Sequence, residues 1–115
     1  MNKTIAIIAL AVGALGTGAA VKINSLPAEE VTVVQINAEW NEIHTRKDLE
    51  NLRGCEYKFG WLEDQPKGIK ESVVAVPVVV VYDGDRPVAQ YVAGLSFRLD
   101  TPFDEIQSKV YELKD

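Results

Sequence analysis

The sequence predicts an α/β domain with a mixed four-stranded sheet, in the order βαβ and then ββα, with helices on its faces. Two runs of mostly β-branched residues, 31–37 and 78–82, are continuously rather than alternately apolar, as in central strands that are covered on both sides. Asp83, Gly84 and Asp85 then form a hairpin turn signal. Together these features predict two buried strands and an antiparallel partner for the second.

The segment between the first two strands predicts a helix. Residues 41–53 carry a weak apolar stripe, and Gly54 follows as a common C-terminal stop. Asn41 is a suitable N-cap for this helix. Residues 56–62 then alternate in the manner of a strand, which places three aromatic residues on one face as core or partly covered sheet: Tyr57, Phe59 and Trp61.

The second half of the chain predicts a short helical piece over 68–72 and a strand over 86–93. Pro87 suits an edge strand, because proline cannot donate to a central ladder. Thr101 is a good N-cap and Pro102 a good first residue for a final helix. One face of that helix is apolar: Phe103, Ile106, Val110 and Leu113. A βαβ unit implies two parallel strands joined by a right-handed crossover.

The chain divides into three parts: residues 1–21, a linker over 22–30, and the domain over 31–115. Lys3 precedes an uncharged stretch over 5–21 that is rich in alanine and glycine. This pattern fits a secretory signal cleaved after Ala20, an uncleaved membrane anchor, or a helix that packs inside a protein assembly. The first two predict an extracytoplasmic or membrane-anchored protein, and the third predicts a place inside a large assembly.

Composition argues against several functions. The net charge of −5 comes from interleaved acidic and basic residues, so nucleic acid is not an expected partner. Cys55 is the single cysteine, and it has no second thiol for an intramolecular disulfide or a thiolate metal site. No glycine-rich phosphate loop, catalytic serine motif or paired-carboxylate pattern occurs. We therefore expect no metal and no cofactor.

Three segments resemble the thioredoxin family. VVQINAEWN, residues 33–41, resembles the strand and the Ala-Glu-Trp approach to the thioredoxin active site. Residues 73–95 resemble the family's cis-proline loop, strand, hairpin and closing glycine, and PFDEIQSKVYEL, residues 102–113, resembles its last helix. The resemblance covers about residues 31–113. It implies a minimal thioredoxin-like fold, without the first strand and helix of the family, preceded by an apolar N-terminal helix.

The sequence differs from the family at the residues that the family uses for redox chemistry. Asn41 and His44 stand at the positions of the two redox cysteines, and Gln35 stands where the family usually keeps a buried acid. Disulfide exchange needs a thiolate that attacks and a second thiol that resolves the mixed disulfide. Cys55 is expected at the wrong end of the helix to replace either. The resemblance therefore implies a protein that is not an enzyme of the dithiol type.

The same resemblance implies a cis bond before Pro77 and a binding groove beside it, and the alternative is a trans proline at the first position of the strand. The Val76 backbone would pair with an extended peptide, as in β-strand addition, which needs no thiol. Trp40, Asn41 and Gly94 would complete the surface. The alternative for Trp40 is that it merely covers the start of the helix, and the alternative for His44 is a solvated helix residue.

These observations support three functional hypotheses. The first is a redox-inactive thioredoxin-like module that binds a protein partner or acts as a scaffold, targeted or docked through residues 5–21. The second is a structural component of a larger assembly such as a viral particle. The third is a thiol oxidoreductase that works through Cys55 alone, with an external thiol as resolver.

Overall fold

The computed structural model of the chain describes residues 30–114, so the predictions on residues 1–21 and on the linker up to residue 29 lie outside the described part. Between residues 30 and 114, no helix is long and apolar enough to cross a membrane. This part of the chain forms a four-stranded sheet whose strands are β1 (Val31–Asn37), β2 (Glu56–Trp61), β3 (Val78–Asp83) and β4 (Arg86–Val92).

The strand order is β2-β1-β3-β4. β1 runs parallel to β2, with Ile36 opposite Gly60, and antiparallel to β3, with Gln35 opposite Val79. All seven residues of β1 and five of the six in β3 are buried, as expected for strands covered on both faces. The mixed four-stranded sheet is confirmed, and Pro87 lies in an edge strand as predicted.

The hairpin between β3 and β4 turns at Gly84 and Asp85, as predicted. Gly84 has a φ of 65°, and a glycine with positive φ at the first central position is typical of a type II′ turn. An ion pair of 3.7 Å between Asp83 and Arg86 closes the base of the turn. An irregularity in the pairing beside Val81 and Tyr82 shifts the register of β4.

Each face of the sheet has its own apolar core. On one face, the short helix α1 (Lys67–Ser72) packs its buried Ile69 against a cluster from β1 and β3. On the other face, the longer helix α2 (Phe103–Lys114) contributes Ile106 and Val110 to a second cluster. The strand residues alternate between the two: Val34, Ile36, Val78, Val80 and Tyr82 face α1, and Val31, Val33, Val79 and Val81 face α2.

The two α-helices agree with their sequence patterns. α1 differs from the predicted range by one residue, and the apolar face predicted for α2 is the face that packs on the sheet. α2 begins at Phe103, and the carbonyl oxygen of Pro102 accepts hydrogen bonds from the amides of Glu105 and Ile106. Pro102, rather than the predicted Thr101, therefore precedes the first helical residue.

The predicted helix over 41–53 is wrong. Two 3₁₀ helices, Glu39–His44 and Lys47–Asn51, occupy this region and are separated at Thr45 and Arg46. Side chains from β1 explain the break, because they take backbone groups that an α-helix would pair internally. Gln35 accepts from the amide of Arg46 at 2.9 Å and donates to its carbonyl oxygen at 3.1 Å.

Candidate functional site

The sheet topology brings several loops to one end of the molecule. β1 and β2 both end there, at Asn37 and Trp61, since they are parallel. β3 starts and β4 ends at the same place, because each is antiparallel to its neighbour. The loops over 38–46, 62–77 and 93–102 therefore meet at one edge, which we call the Asn41 end. These loops contain all the residues predicted for partner binding.

Asn41 is the centre of a buried hydrogen-bond network. Its side chain is 4 % exposed, and its Nδ2 donates to Oδ1 of Asn37 and to the carbonyl oxygen of Phe97, both at 3.0 Å. The predicted N-cap role is wrong, because Ala38 precedes the 3₁₀ helix and Asn41 lies within it. Asn41 instead joins β1 to a loop that is far away in sequence.

Asn37, the last residue of β1, contributes further hydrogen bonds to this network. Its Nδ2 donates to the carbonyl oxygen of Asn41 at 2.9 Å and to Oγ1 of Thr45 at 2.7 Å. Asn37 and Asn41 thus exchange hydrogen bonds in both directions. Buried amides satisfied in this way fix the path of the backbone, so the first 3₁₀ helix is held on the end of β1.

The Val76–Pro77 peptide bond is cis, the isomer that the resemblance implies. Both residues are buried, and the Val76 carbonyl oxygen lies 3.4 Å from Nδ2 of Asn41. The carbonyl oxygen of Pro77 accepts from the amide of Ala93 at 3.1 Å. The pairing of the Val76 backbone with an added peptide stays a prediction, and the contact with Asn41 already occupies part of that edge.

His44 contacts the same network. Its Nδ1 lies 2.9 Å from Oδ1 of Asn41, and since that oxygen can only accept, the ring donates through Nδ1. Asn41 and His44 are therefore hydrogen-bonded to each other. An amide and an imidazole in this arrangement supply neither a thiolate nor a resolving thiol.

The loops of the Asn41 end also carry large apolar side chains that are exposed. Trp40 is 65 % exposed and meets Phe97 edge-on, with ring centroids 5.0 Å apart. Ile43 is 86 % exposed and Leu95 is 98 % exposed. With Val74, which is also exposed, these residues form what we call the apolar rim: Trp40, Ile43, Val74, Leu95 and Phe97.

Sequence reasoning found Trp40 and Gly94 but missed most of the apolar rim. Gly94 is exposed, and its carbonyl oxygen accepts from the amide of Phe97 at 3.0 Å, so it turns the loop rather than adding a contact surface. The available signal was the presence of Leu95 and Phe97 among small and polar residues at the start of this loop, although Leu99 in the same loop is buried. Large apolar residues in a connection between elements indicate an exposed contact surface.

Phe97 has a φ of 60°, in the left-handed region that bulky residues rarely adopt. The hydrogen bond from Asn41 to its carbonyl oxygen and the turn to Gly94 hold it there. Unusual backbone conformations of this kind persist only when neighbouring contacts fix them, and they are frequent in binding loops. The network thus sets the direction in which the Phe97 ring points.

Arg46 ties the 3₁₀ segment to the loop before α2. Its guanidinium donates to the carbonyl oxygens of Leu99 and Thr101 at 3.0 and 2.7 Å. It also donates two hydrogen bonds, of 2.9 and 2.8 Å, to the carboxylate of Asp48. The hydrogen bonds from Arg46 lower the pKa of the Asp48 carboxyl, and the same contact raises the pKa of Arg46.

Cys55 lies at the other end of the sheet. It immediately precedes β2, whose first residue, Glu56, pairs with Thr32 near the start of β1. The thiol lines a cleft of about 480 Å³, and its partial burial raises its pKa above the ordinary value. The predicted separation of Cys55 from the Asn41 end is confirmed, at about the length of a seven-residue strand, roughly 20 Å.

Between residues 30 and 114, no three His, Cys, Asp or Glu side chains are grouped so that they could hold a metal ion. A scan against protein-family models found no match, and a search of curated proteins found none.

Proposed function

We propose that this chain is a redox-inactive, thioredoxin-like protein whose function is to bind a protein partner at the Asn41 end. The strand pairings support the fold assignment, because β1 and β2 are parallel and β3 and β4 form an antiparallel hairpin. The cis bond before Pro77 lies beside the segment that carries Trp40 and Asn41, as the resemblance implies.

The observation that carries the proposal is the combination of a buried polar network with an exposed apolar rim. The side chain of Asn41 donates hydrogen bonds to Asn37 and Phe97, so its role is to stabilise the loops. The loops it supports present Trp40, Ile43 and Leu95 to solvent. Monomeric soluble proteins rarely expose several large apolar residues together, and such patches mark interaction sites.

The apolar rim has the composition of a binding surface. Tryptophan is among the residues that contribute most to protein interfaces, and aromatic side chains lose little conformational freedom on binding. The edge-on contact with Phe97 holds the Trp40 ring in place before a partner arrives. A prearranged aromatic anchor lowers the entropy lost on association.

A structural role in a larger assembly such as a viral particle remains the second candidate. Leu95 is almost fully exposed, which suits a side chain that is covered permanently by a neighbouring subunit. The two candidates differ in lifetime and stoichiometry: a scaffold contact is permanent and fixed in number, whereas a binding module exchanges partners. In both cases residues 5–21 are proposed to target or dock the chain.

The third hypothesis, a thiol oxidoreductase that uses Cys55, has less support. Nucleophilic cysteines have a lowered pKa and lie near positive charge. Burial instead raises the pKa of Cys55, and Glu56 raises it further, while Lys114 only partly opposes them. A thiol in this environment is mostly protonated at neutral pH.

Peptide display tests the proposed function. Peptides are selected on the full-length chain, and their affinities are then measured for Trp40→Ser, Leu95→Ser and, as a matched control, Tyr111→Ser. Tyr111 is an exposed aromatic residue near Gly54, at the opposite end of the molecule. We expect a loss of at least about tenfold for each variant in the apolar rim, because interface aromatic and aliphatic anchors contribute that much. Equal affinities for all variants would overturn the proposal.

A further inference from the structure

A second cleft lies beside the Asn41 end, between β2 and the two 3₁₀ helices. Its volume is about 240 Å³, less than the usual size of a pocket for a drug-sized ligand. This volume suits a single side chain or a small headgroup. The floor is aromatic, since alternate residues of β2 point to the same face: Tyr57, Phe59 and Trp61.

The aromatic floor is held in a fixed arrangement. Phe59 and Trp61 meet edge-on, with centroids 4.8 Å apart and ring planes at 88°. The hydroxyl of Tyr57 accepts a hydrogen bond of 2.7 Å from Nε2 of Gln35, which orients that ring as well. Burial raises the pKa of Tyr57 to about 12, so this ring stays neutral under ordinary conditions.

The walls of the cleft are acidic. Glu42 comes from the first 3₁₀ helix and Glu50 from the second, and Thr45 and Lys47 complete the lining. Within the described part of the chain neither carboxylate makes an ion pair. Glu50 lines the cleft together with Tyr57 of the aromatic floor. Two carboxylates against one ammonium give the cleft a negative potential.

Aromatic faces and carboxylates together select one class of ligand. The face of an aromatic ring carries negative electrostatic potential and attracts cations, and arginine does this more often than lysine. A guanidinium is planar, weakly hydrated and able to donate several hydrogen bonds to carboxylates while it stacks on a ring. The cleft therefore matches a guanidinium in size, charge and shape.

We propose that this cleft binds a guanidinium group, presented as an arginine side chain by the protein that docks on the apolar rim. The proposal rests on the proposed function in that the guanidinium belongs to a protein partner. Glu42 links the two surfaces, because it lies on the same 3₁₀ helix as Trp40 and Ile43. A partner would thus place apolar side chains on the rim and an arginine in the cleft.

The charge of Lys47 should affect the affinity of the cleft for a guanidinium. Lys47 belongs to the lining, and the positive charge of its ammonium opposes the binding of a cation. Replacing it by methionine keeps the aliphatic stem and removes the charge, so Lys47→Met should tighten guanidinium binding about threefold. Weaker binding by this variant would contradict a site for cations.

The test uses N-acetyl-arginine methylamide as the probe, titrated into the 15N-labelled full-length chain and followed by NMR. N-acetyl-citrulline methylamide is the matched control, because it has nearly the same shape without the charge. We expect saturable shifts at residues 45–50 and 57–61 for the arginine derivative and none for the citrulline derivative. Equal shifts for both probes, or shifts elsewhere, would overturn the proposal.

Variants of the two glutamates and a second cation provide further tests of the guanidinium site. Glu42→Gln and Glu50→Gln should each weaken binding about threefold, and the pair about tenfold. Glu112→Gln, an exposed change on α2, should leave binding unchanged. Tetramethylammonium should bind more weakly than the arginine derivative, because it cannot donate to the carboxylates. Tighter binding of tetramethylammonium would replace the guanidinium by a quaternary ammonium ligand and so overturn the proposal.

The outcomes of this test and of the peptide selection are separable. If the arginine derivative fails to bind while selected peptides still need Trp40, the guanidinium site is wrong and the proposed function stands. If the arginine derivative binds in the cleft but selected peptides ignore Trp40, the proposed partner surface is wrong and the cleft is a separate site for cations.

Discussion

The side-chain amide of Asn41 donates a hydrogen bond of 3.0 Å to the carbonyl oxygen of Phe97, 56 residues further along the chain. Between residues 30 and 114, Phe97 is the non-glycine residue with a positive φ, and it carries a ring of the apolar rim. A buried side chain in the segment after β1 thus shapes a surface loop. This contact connects the buried network to the proposed binding surface.

Asn41→Ala should lower the free energy of unfolding by about 2–3 kcal/mol, because it leaves buried partners in Asn37 and Phe97 unsatisfied. Asn51→Ala is the matched control, since Asn51 is exposed on the second 3₁₀ helix, and it should change stability by less than about 0.5 kcal/mol. Urea unfolding measures both. Equal losses for the two variants would show that Asn41 has no special structural role.

Gln35→Glu should make stability depend on pH in a new way. Gln35 is fully buried and donates to the carbonyl oxygen of Arg46, which a carboxylate cannot do. Burial would raise the pKa of the new carboxyl above about 4.3, so the unfolded chain would release its proton at lower pH than the folded one. Stability relative to wild type should therefore fall by about 2–4 kcal/mol as the pH rises from about 4.5 to 8.

The control for Gln35→Glu is Gln107→Glu. The side chain of Gln107 also accepts from the amide of one residue, Arg53, at 2.9 Å and donates to its carbonyl oxygen at 2.8 Å. These two hydrogen bonds are exposed to solvent. A carboxylate there stays solvated, so the difference from wild type should vary little with pH. If urea unfolding at a series of pH values gives the same profile for both variants, burial of Gln35 is not the cause.

Asp48→Asn should remove a stabilising contribution that is present at neutral pH. Arg46 lowers the pKa of Asp48 in the folded state, so this contribution is complete above the unfolded pKa of about 3.9 and is lost as the pH falls through the lower folded pKa. Because the Asp48 side chain is 43 % exposed, we expect only about 0.5–1 kcal/mol at pH 7. Unfolding curves of variant and wild type should converge in acid, and a difference that persists there would refute the electrostatic explanation.

Alkylation with iodoacetamide tests Cys55. Because burial raises its pKa, the folded chain should react at pH 7.5 at least about tenfold more slowly than the same chain in urea. The rate should keep rising with pH beyond the point at which an ordinary thiol levels off. Faster reaction in the folded state would instead support the oxidoreductase hypothesis. Cys55→Ser should leave peptide binding unchanged, since the thiol lies at the other end of the sheet.

Local patterns predicted the strands and the last helix well, because their residues act through burial and periodicity. The buried β1 and β3, the turn at Gly84 and the apolar face of α2 were all evident from residue type and spacing. The segment after β1 was not, since its conformation depends on hydrogen bonds from Gln35 and Asn37 that form only in the folded protein. Tertiary hydrogen bonding there outweighs helix propensity.

The candidate site was predicted in part for the same reason. Trp40, Val76, Pro77 and Gly94 do lie at one end of the sheet, as the resemblance implied. Asn41 was expected at the surface but is buried, and Phe97 was not expected at all. The contact between them joins positions 56 residues apart, and no local pattern in a single sequence indicates such a contact.

An NMR map of binding on the full-length, 15N-labelled chain tests whether the Asn41 end binds a protein partner. A peptide selected by display is titrated in, and the shifted amides are located in the sequence. We predict shifts concentrated at residues 39–46, 74–77 and 93–99, the loops of the Asn41 end, with Trp40→Ser abolishing them. Shifts centred instead on Cys55 and Tyr111, at the opposite end, would contradict the proposal that the Asn41 end is a surface for protein binding.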